Sequence, residues 1–94
     1  MSQRNLLEQE LRRRLAYHVR RYREAANLTL EAASERGELN WRHWQKVEAG
    51  EVNATLRTLN RLANALEVAP DALLAEIPGK PEERTSVAPP SSSR

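Results

Sequence analysis

The stretch NWRHWQKVEAG, residues 40–50, predicts a short helix with two different faces. Asn40 can cap the start of this helix, and Gly50 can end it. At about 100° per residue, Trp44 and Val47 fall on one side of the helix, and most of the polar side chains fall on the other. The sequence therefore predicts a helix that packs on its own domain through Trp44 and offers a polar face to a partner.

The segments around this stretch are also predicted to be helical. Apolar residues three or four apart predict a first helix from about residue 4 to 26: Leu7, Leu11, Leu15, Val19, Tyr22 and Ala26. Thr29 is the predicted N-cap of a second helix that ends at Gly37. Thr55 is the predicted N-cap of a fourth helix, LRTLNRLANAL. Pro70 occupies the first position of a predicted fifth helix, PDALLAEI. We therefore expect an all-α domain of five helices over residues 1–77, with an extended first helix.

Composition narrows the class of protein. The chain has 94 residues and no cysteine, which excludes disulfides and thiolate metal sites. It has no apolar run of the roughly 18 residues that a membrane span needs, and its polar N-terminus does not resemble a signal peptide. We therefore expect a cytoplasmic protein without a membrane partner. Residues 78–94 are rich in Pro and Ser and are predicted to be a disordered tail.

The arginines are unevenly distributed along the chain. Residues 11–23 contain six Arg and no acidic residue, although the formal net charge of the whole chain is only +2. Such a stripe can attract phosphates. The same arginines can also form ion pairs with Glu8, Glu10 and Glu24 at helical spacing. The sequence leaves both interpretations open.

No catalytic or metal site is expected. His18 and His43 lie far apart in the sequence without a third ligand at metal-binding spacing. Ser34 has no His and acid at a recognisable spacing, and the chain has no phosphate-binding glycine loop. We therefore predict a protein that is not an enzyme and has no metal or cofactor.

Several stretches resemble one family over residues 15–74. They are LAYHVRRYREAANLTLEAA, WQKVEAG, TLRTLNRLANALEV and DALL. Together they are similar to the phage-repressor and Cro-like helix-turn-helix family, the xenobiotic-response-element regulators. The resemblance implies a lambda-repressor-like domain with its motif at about 29–49 and a recognition helix at about 40–49. It also implies a homodimer that binds double-stranded DNA at an inverted repeat and often packs through the last helix, here Leu73, Leu74 and Ile77. The first helix also has spare apolar residues, so the sequence leaves the dimer contact open between the first and the last helix.

The resemblance also assigns roles to individual positions. The implied base-reading residues are Trp41, Arg42, Gln45 and Lys46. The implied contacts to the DNA backbone are Asn40, His43, Asn53, Thr55 and Arg57. Arg23 and Glu48 are expected to form a structural ion pair. The expected core consists of Leu15, Val19, Leu28, Leu39, Trp44, Val47, Leu59, Leu62 and Leu66.

The chain departs from the family pattern at several positions. Leu30 replaces the usual Gln that helps to grip a phosphate. Glu38 stands where a turn glycine is usual, and because a left-handed backbone there costs about 1 kcal/mol, we expect the turn to shift onto Gly37. Small Ala33 and Gly37 replace larger aliphatic residues, and we expect them to make room for Trp44.

Two functions follow from this pattern. The first is a sequence-specific transcriptional regulator, a dimeric repressor that reads the major groove with its third helix. The alternative is a protein-interaction module, antitoxin-like or an adaptor, which keeps the fold but binds DNA weakly. Leu30, Glu51 and an aromatic Trp41 favour the alternative, since Trp is a common interface anchor. Trp41 itself fits a DNA contact, a packing residue or a protein interface.

Overall fold

A computed structural model describes the backbone of residues 2–78 and the side chains of residues 7–78. Its α-helices are α1 (Ser2–Ala25), α2 (Leu30–Gly37), α3 (Trp41–Glu48) and α4 (Leu56–Leu66), and a 3-10 helix follows at Pro70–Leu74. The described part contains no strand, so the all-α prediction is confirmed. From residue 79 onward, the predicted disordered tail lies outside the residues that the structure describes.

The predicted fifth α-helix is not formed. Pro70 begins a 3-10 helix of five residues, and Ala75 is already extended, with φ −66° and ψ 160°. Two side chains of α1 hold the carbonyl groups at its end: Arg14 Nη1 donates to Leu74 O at 3.3 Å, and His18 Nε2 lies 2.9 Å from Ala75 O. These contacts hold the end of the 3-10 helix against α1, and Pro78 disfavours a helical residue before it.

Helices α1, α2 and α4 end in the same way, with a left-handed residue that is not glycine. Asn27, Glu38 and Glu67 have φ values of 58°, 58° and 59°. In each case the next amide donates back to a carbonyl inside the helix, as Leu39 N does to Ser34 O at 2.9 Å. This arrangement satisfies the last carbonyl groups of each helix and turns the chain sharply.

The core lies where all the helices meet. Its fully buried large side chains are Trp44, Leu62, Leu73, Val19 and Val47. Of the other predicted core residues, Leu15 and Leu66 are buried, whereas Leu28, Leu39 and Leu59 are half-buried against this cluster. The sequence analysis did not include Ala33, Ala63, Ala65 and Leu73, which are also buried.

The apolar face predicted for α1 is buried only in its second half. Leu15 is 4% exposed and Val19 is fully buried, but Leu7 is 58% and Leu11 is 37% exposed. The first turns of α1 therefore extend beyond the core. Within residues 2–78, no helix is long and apolar enough to cross a membrane.

Candidate nucleic-acid interface

Helix α3 is anchored to the domain through one face. Trp44 and Val47 are buried on this face. The indole fits beside Gly37 of α2 because this residue has no side chain: an added Cβ would lie 3.4 Å from Trp44 Cζ3 and 3.0 Å from Arg61 O. The expectation that Gly37 makes room for the Trp44 indole therefore agrees with the observed packing.

A half-buried carboxylate joins α3 to α1. Arg23 Nε donates to Glu48 Oε2 at 2.6 Å, and Arg23 Nη2 donates to Glu48 Oε1 at 3.1 Å. Trp44 Nε1 also donates to Glu48 Oε2, at 2.7 Å. The hydrogen bond to Glu48 raises the pKa of the Arg23 guanidinium, while burial opposes this shift. With 14% of Arg23 and 10% of Glu48 exposed, the pair fixes the orientation of α3 in a poorly hydrated site.

The turn before α3 differs from the expected one. Glu38 itself adopts the left-handed conformation, with φ 58° and ψ 42°, so the expected shift of the turn onto Gly37 is wrong. Gly37 is the last residue of α2, and it packs so closely on α4 that this contact leaves no room for a side chain. Arg61 Nη1 donates to Glu38 O at 3.0 Å and holds the turn from α4.

The opposite face of α3 is exposed and polar. Trp41, Arg42, Gln45 and Lys46, the four residues predicted to read bases, are all exposed. Trp41 is 43% exposed, and Arg42 Cζ lies 5.7 Å from the centroid of its ring. Within the described residues, no acidic side chain forms a salt bridge with Arg42 or Lys46. The face thus offers unneutralised cations and amide groups beside an aromatic ring.

Of the residues predicted to contact the DNA backbone, two cap helices, and others differ in how exposed they are. Asn40 Oδ1 accepts from Arg42 N at 2.8 Å, and Thr55 Oγ1 accepts from Thr58 N at 3.1 Å, so both side chains cap helices. Arg57 is exposed. His43 is half-buried, and its Nε2 is enclosed without a hydrogen-bond partner among the described residues. As placed, this nitrogen cannot reach a phosphate.

The arginine stripe of α1 forms mainly local ion pairs. Arg13 and Arg14 each lie 3.0 Å from a Glu10 oxygen, and Arg20 lies 3.3 Å from Glu24. The hydrogen bonds from Arg14 and then Arg13 lower the pKa of Glu10. These contacts favour the interpretation of a solvated helix face for most of the stripe.

Two contacts beside α3 join residues far apart in the sequence and were not predicted. Arg12 Nη1 donates to Asn53 Oδ1 at 2.8 Å, and Arg61 holds Glu38 O. These pairs are 41 and 23 residues apart, so no local pattern reveals them. Within the described residues, no group of three His, Cys, Asp or Glu side chains could hold a metal ion.

Comparisons with known proteins agree with this geometry. Residues 14–77 match the helix-turn-helix domain family. The hypothetical transcription factor NHTF from Neisseria is similar in structure, with a TM-score of 0.67 and 33% identity over 71% of this chain and 75% of that one. The restriction-modification controller protein C.AhdI from Aeromonas hydrophila gives a TM-score of 0.63 and 27% identity over 66% of this chain and 94% of that one. No curated protein shows significant similarity.

Proposed function

Since this chain belongs to the helix-turn-helix domain family, we propose that it is a transcription regulator that binds double-stranded DNA in a sequence-specific manner. In this proposal α3 is the recognition helix and lies in the major groove. Residues 1–77 form the DNA-binding domain. The proposal is supported by the kinds of protein named among its structural neighbours, a transcription factor and a controller protein.

The observation that carries this proposal is the exposed polar face of α3. Arg42 and Lys46 are one turn apart, as are Trp41 and Gln45. Arg and Lys suit the acceptors of guanine, Gln suits the donor and acceptor pair of adenine, and an aromatic ring can contact the thymine methyl group. Because Trp44 and Glu48 fix the other side of α3, these four side chains project from a rigid base.

Contacts to phosphates would supply most of the affinity. The N-termini of α3 and α4 carry amides that favour anions, and the nearby Arg57 adds a cation. Glu51 is an exposed acid in the loop between these helices and opposes this attraction. We therefore propose moderate electrostatic affinity, with base contacts providing the selectivity.

We further propose that the protein is a dimeric repressor that acts on an inverted repeat. An exposed apolar surface formed by Leu7, Leu11 and Leu56 supports a second copy of the chain as the partner; Leu56 is 83% exposed. Leu11 and Leu56 line one groove between α1 and α4. The same apolar surface on two copies can meet in a two-fold interface. Leu73, which the resemblance placed in the interface, is fully buried and unavailable.

Selection of binding sites from randomised duplexes tests the base-reading role of α3. The wild-type chain should enrich one inverted repeat. Arg42→Ala and Gln45→Ala should each relax the preference at specific base pairs, with a loss of about 1–3 kcal/mol for the preferred base. Arg20→Ala is the matched control, because Arg20 is exposed on α1 and paired with Glu24. An unchanged preference in both α3 variants would contradict the proposal and favour the interaction module.

A further inference from the structure

One arginine of α1 contacts the loop between α3 and α4. Arg13 pairs with Glu10, and Arg14 bonds to Glu10 and Leu74 O. Arg12 Nη1 donates to Asn53 Oδ1 in the loop at 2.8 Å. Arg12 also precedes residues 14–77, the part that matches the family. The extension of α1 therefore contributes a cation to this loop.

The contact with Arg12 fixes the orientation of the Asn53 carboxamide. A guanidinium has only N–H donors, so the carboxamide must present its oxygen to Arg12. The Nδ2 group, with its two N–H donors, then points away from Arg12. Asn53 is exposed, so these donors are accessible at the surface of the loop.

The arrangement of Arg12 and Asn53 offers a cation and N–H donors, which suit an anion. One acidic side chain of the described residues lies within salt-bridge distance of Arg12: Glu8 Oε2 is 3.5 Å from Nη1. This distance exceeds the roughly 2.7–2.9 Å of a strong charge-assisted hydrogen bond, and Glu8 is 52% exposed, so water screens the pair. The positive charge of Arg12 is therefore only partly neutralised beside outward-pointing amide donors.

We propose that Arg12 is a positioning residue for a DNA phosphate at Asn53. It orients the Asn53 amide so that Nδ2 donates to the phosphate, and its cation lies next to the same phosphate. This inference rests on the proposed DNA binding by α3. It gives the extended first helix a role in affinity that is independent of base sequence.

The test is the salt dependence of binding by full-length variants, measured by fluorescence anisotropy on one selected duplex and one random duplex. Arg12→Gln removes the charge but keeps a polar side chain. It should weaken binding to both duplexes by the same factor and reduce the slope of log Kd against log salt by about 1. Arg13→Gln, one residue away and paired with Glu10, should leave the slope unchanged.

Two further variants separate positioning from charge alone. Asn53→Ala should weaken binding by itself, and adding Arg12→Gln to it should cost less than Arg12→Gln costs in the wild type, because both act on one phosphate. Arg12→Lys keeps the charge and should keep the slope. Sedimentation of each variant at the titration concentration checks that its oligomeric state is unchanged.

The possible failures are distinguishable. If Arg12→Gln retains the wild-type slope, or loses no more than Arg13→Gln, the role of Arg12 is wrong while the proposed function stands. Fully additive effects of Arg12→Gln and Asn53→Ala would also overturn the positioning role. If the wild-type chain shows no salt-dependent binding to any duplex, the proposed function fails and this inference fails with it.

Discussion

At the scale of single residues, the Glu48 carboxylate is the point that fixes α3. It accepts from Arg23 Nε and Nη2 and from Trp44 Nε1, and Arg23 Nη1 also donates to Leu28 O at 2.8 Å. These bonds link α1, the segment before α2, and α3. Because the groups are mostly buried, they interact in a less polar medium than water, and losing one partner leaves a charge poorly solvated.

Removal of the Arg23 guanidinium should therefore lower the stability of the fold. Arg23→Met should lower the free energy of unfolding by about 3–5 kcal/mol, as is typical when one partner of a buried ion pair is lost. Urea denaturation followed by circular dichroism measures this change. Arg20→Met removes an exposed pair with Glu24 on the same helix and should change it by no more than about 0.5 kcal/mol. Equal effects of the two substitutions would show that the Glu48 site does not stabilise the fold.

Gly37 presents a case in which packing opposes helix propensity. Replacing a glycine inside a helix by alanine usually stabilises it by up to about 1 kcal/mol. Here the new Cβ would lie 3.0 Å from the backbone oxygen of Arg61 and 3.3 Å from Ala65 Cβ. Because a backbone atom yields less easily than a side chain, we expect Gly37→Ala to destabilise the domain by about 1–3 kcal/mol. A higher melting temperature in this variant would contradict the close packing of α2 on α4.

At the scale of helices and turns, local sequence patterns predicted where the helices begin. They did not reveal contacts between residues that are far apart in the sequence. Thr29, Asn40 and Thr55 were predicted as N-caps, and each accepts a hydrogen bond from an amide in the first turn of its helix. Instead of the predicted fifth α-helix the chain forms a 3-10 helix, and Arg14 and His18, 60 and 57 residues away, bond to the carbonyls at its end. The shift expected at Glu38 does not occur, and Gly37 stays in α2 against α4. Local sequence patterns reveal neither set of tertiary contacts.

The turn between α2 and α3 retains strain that a glycine would relieve. Glu38 has a left-handed backbone, which costs about 1–2 kcal/mol for a residue with a side chain. Glu38→Gly should therefore raise the free energy of unfolding by about 1 kcal/mol, since Arg61 bonds to the main-chain oxygen and keeps its partner. Glu35→Gly, at an exposed position inside α2, should lower it by about 1 kcal/mol. Chemical denaturation of both variants measures these changes. A Glu38→Gly variant that is less stable than the wild type would contradict this interpretation.

At the scale of the whole molecule, the two faces of α3 connect stability with recognition. Trp44 and Val47 were predicted as its anchors, and the same helical pattern placed Arg42, His43, Gln45 and Lys46 on the opposite face. His43 departs from that prediction, because its half-buried ring depends on how the whole domain packs. The sequence therefore predicts which face is available, but not how every side chain on it is oriented.

The exposed apolar surface also belongs to this scale. If Leu7, Leu11 and Leu56 form a dimer contact, Leu56→Asp should weaken self-association at least tenfold, because it places a carboxylate in an apolar interface. Sedimentation equilibrium without DNA measures the association. Asn64→Asp adds the same charge at another exposed position of α4 and should have little effect. A wild-type chain that stays monomeric at high micromolar concentration would contradict the proposed dimer.

The proposed function requires selective binding to DNA, and fluorescence anisotropy of the wild-type protein measures this selectivity. The titration compares duplexes that tile the region upstream of the protein's own gene with a random duplex, at two salt concentrations. We predict that one inverted repeat binds at least about a thousandfold more tightly than the random duplex and that its affinity falls steeply as salt rises. An affinity that is equally weak for every upstream and random duplex, and insensitive to salt, would contradict the claim.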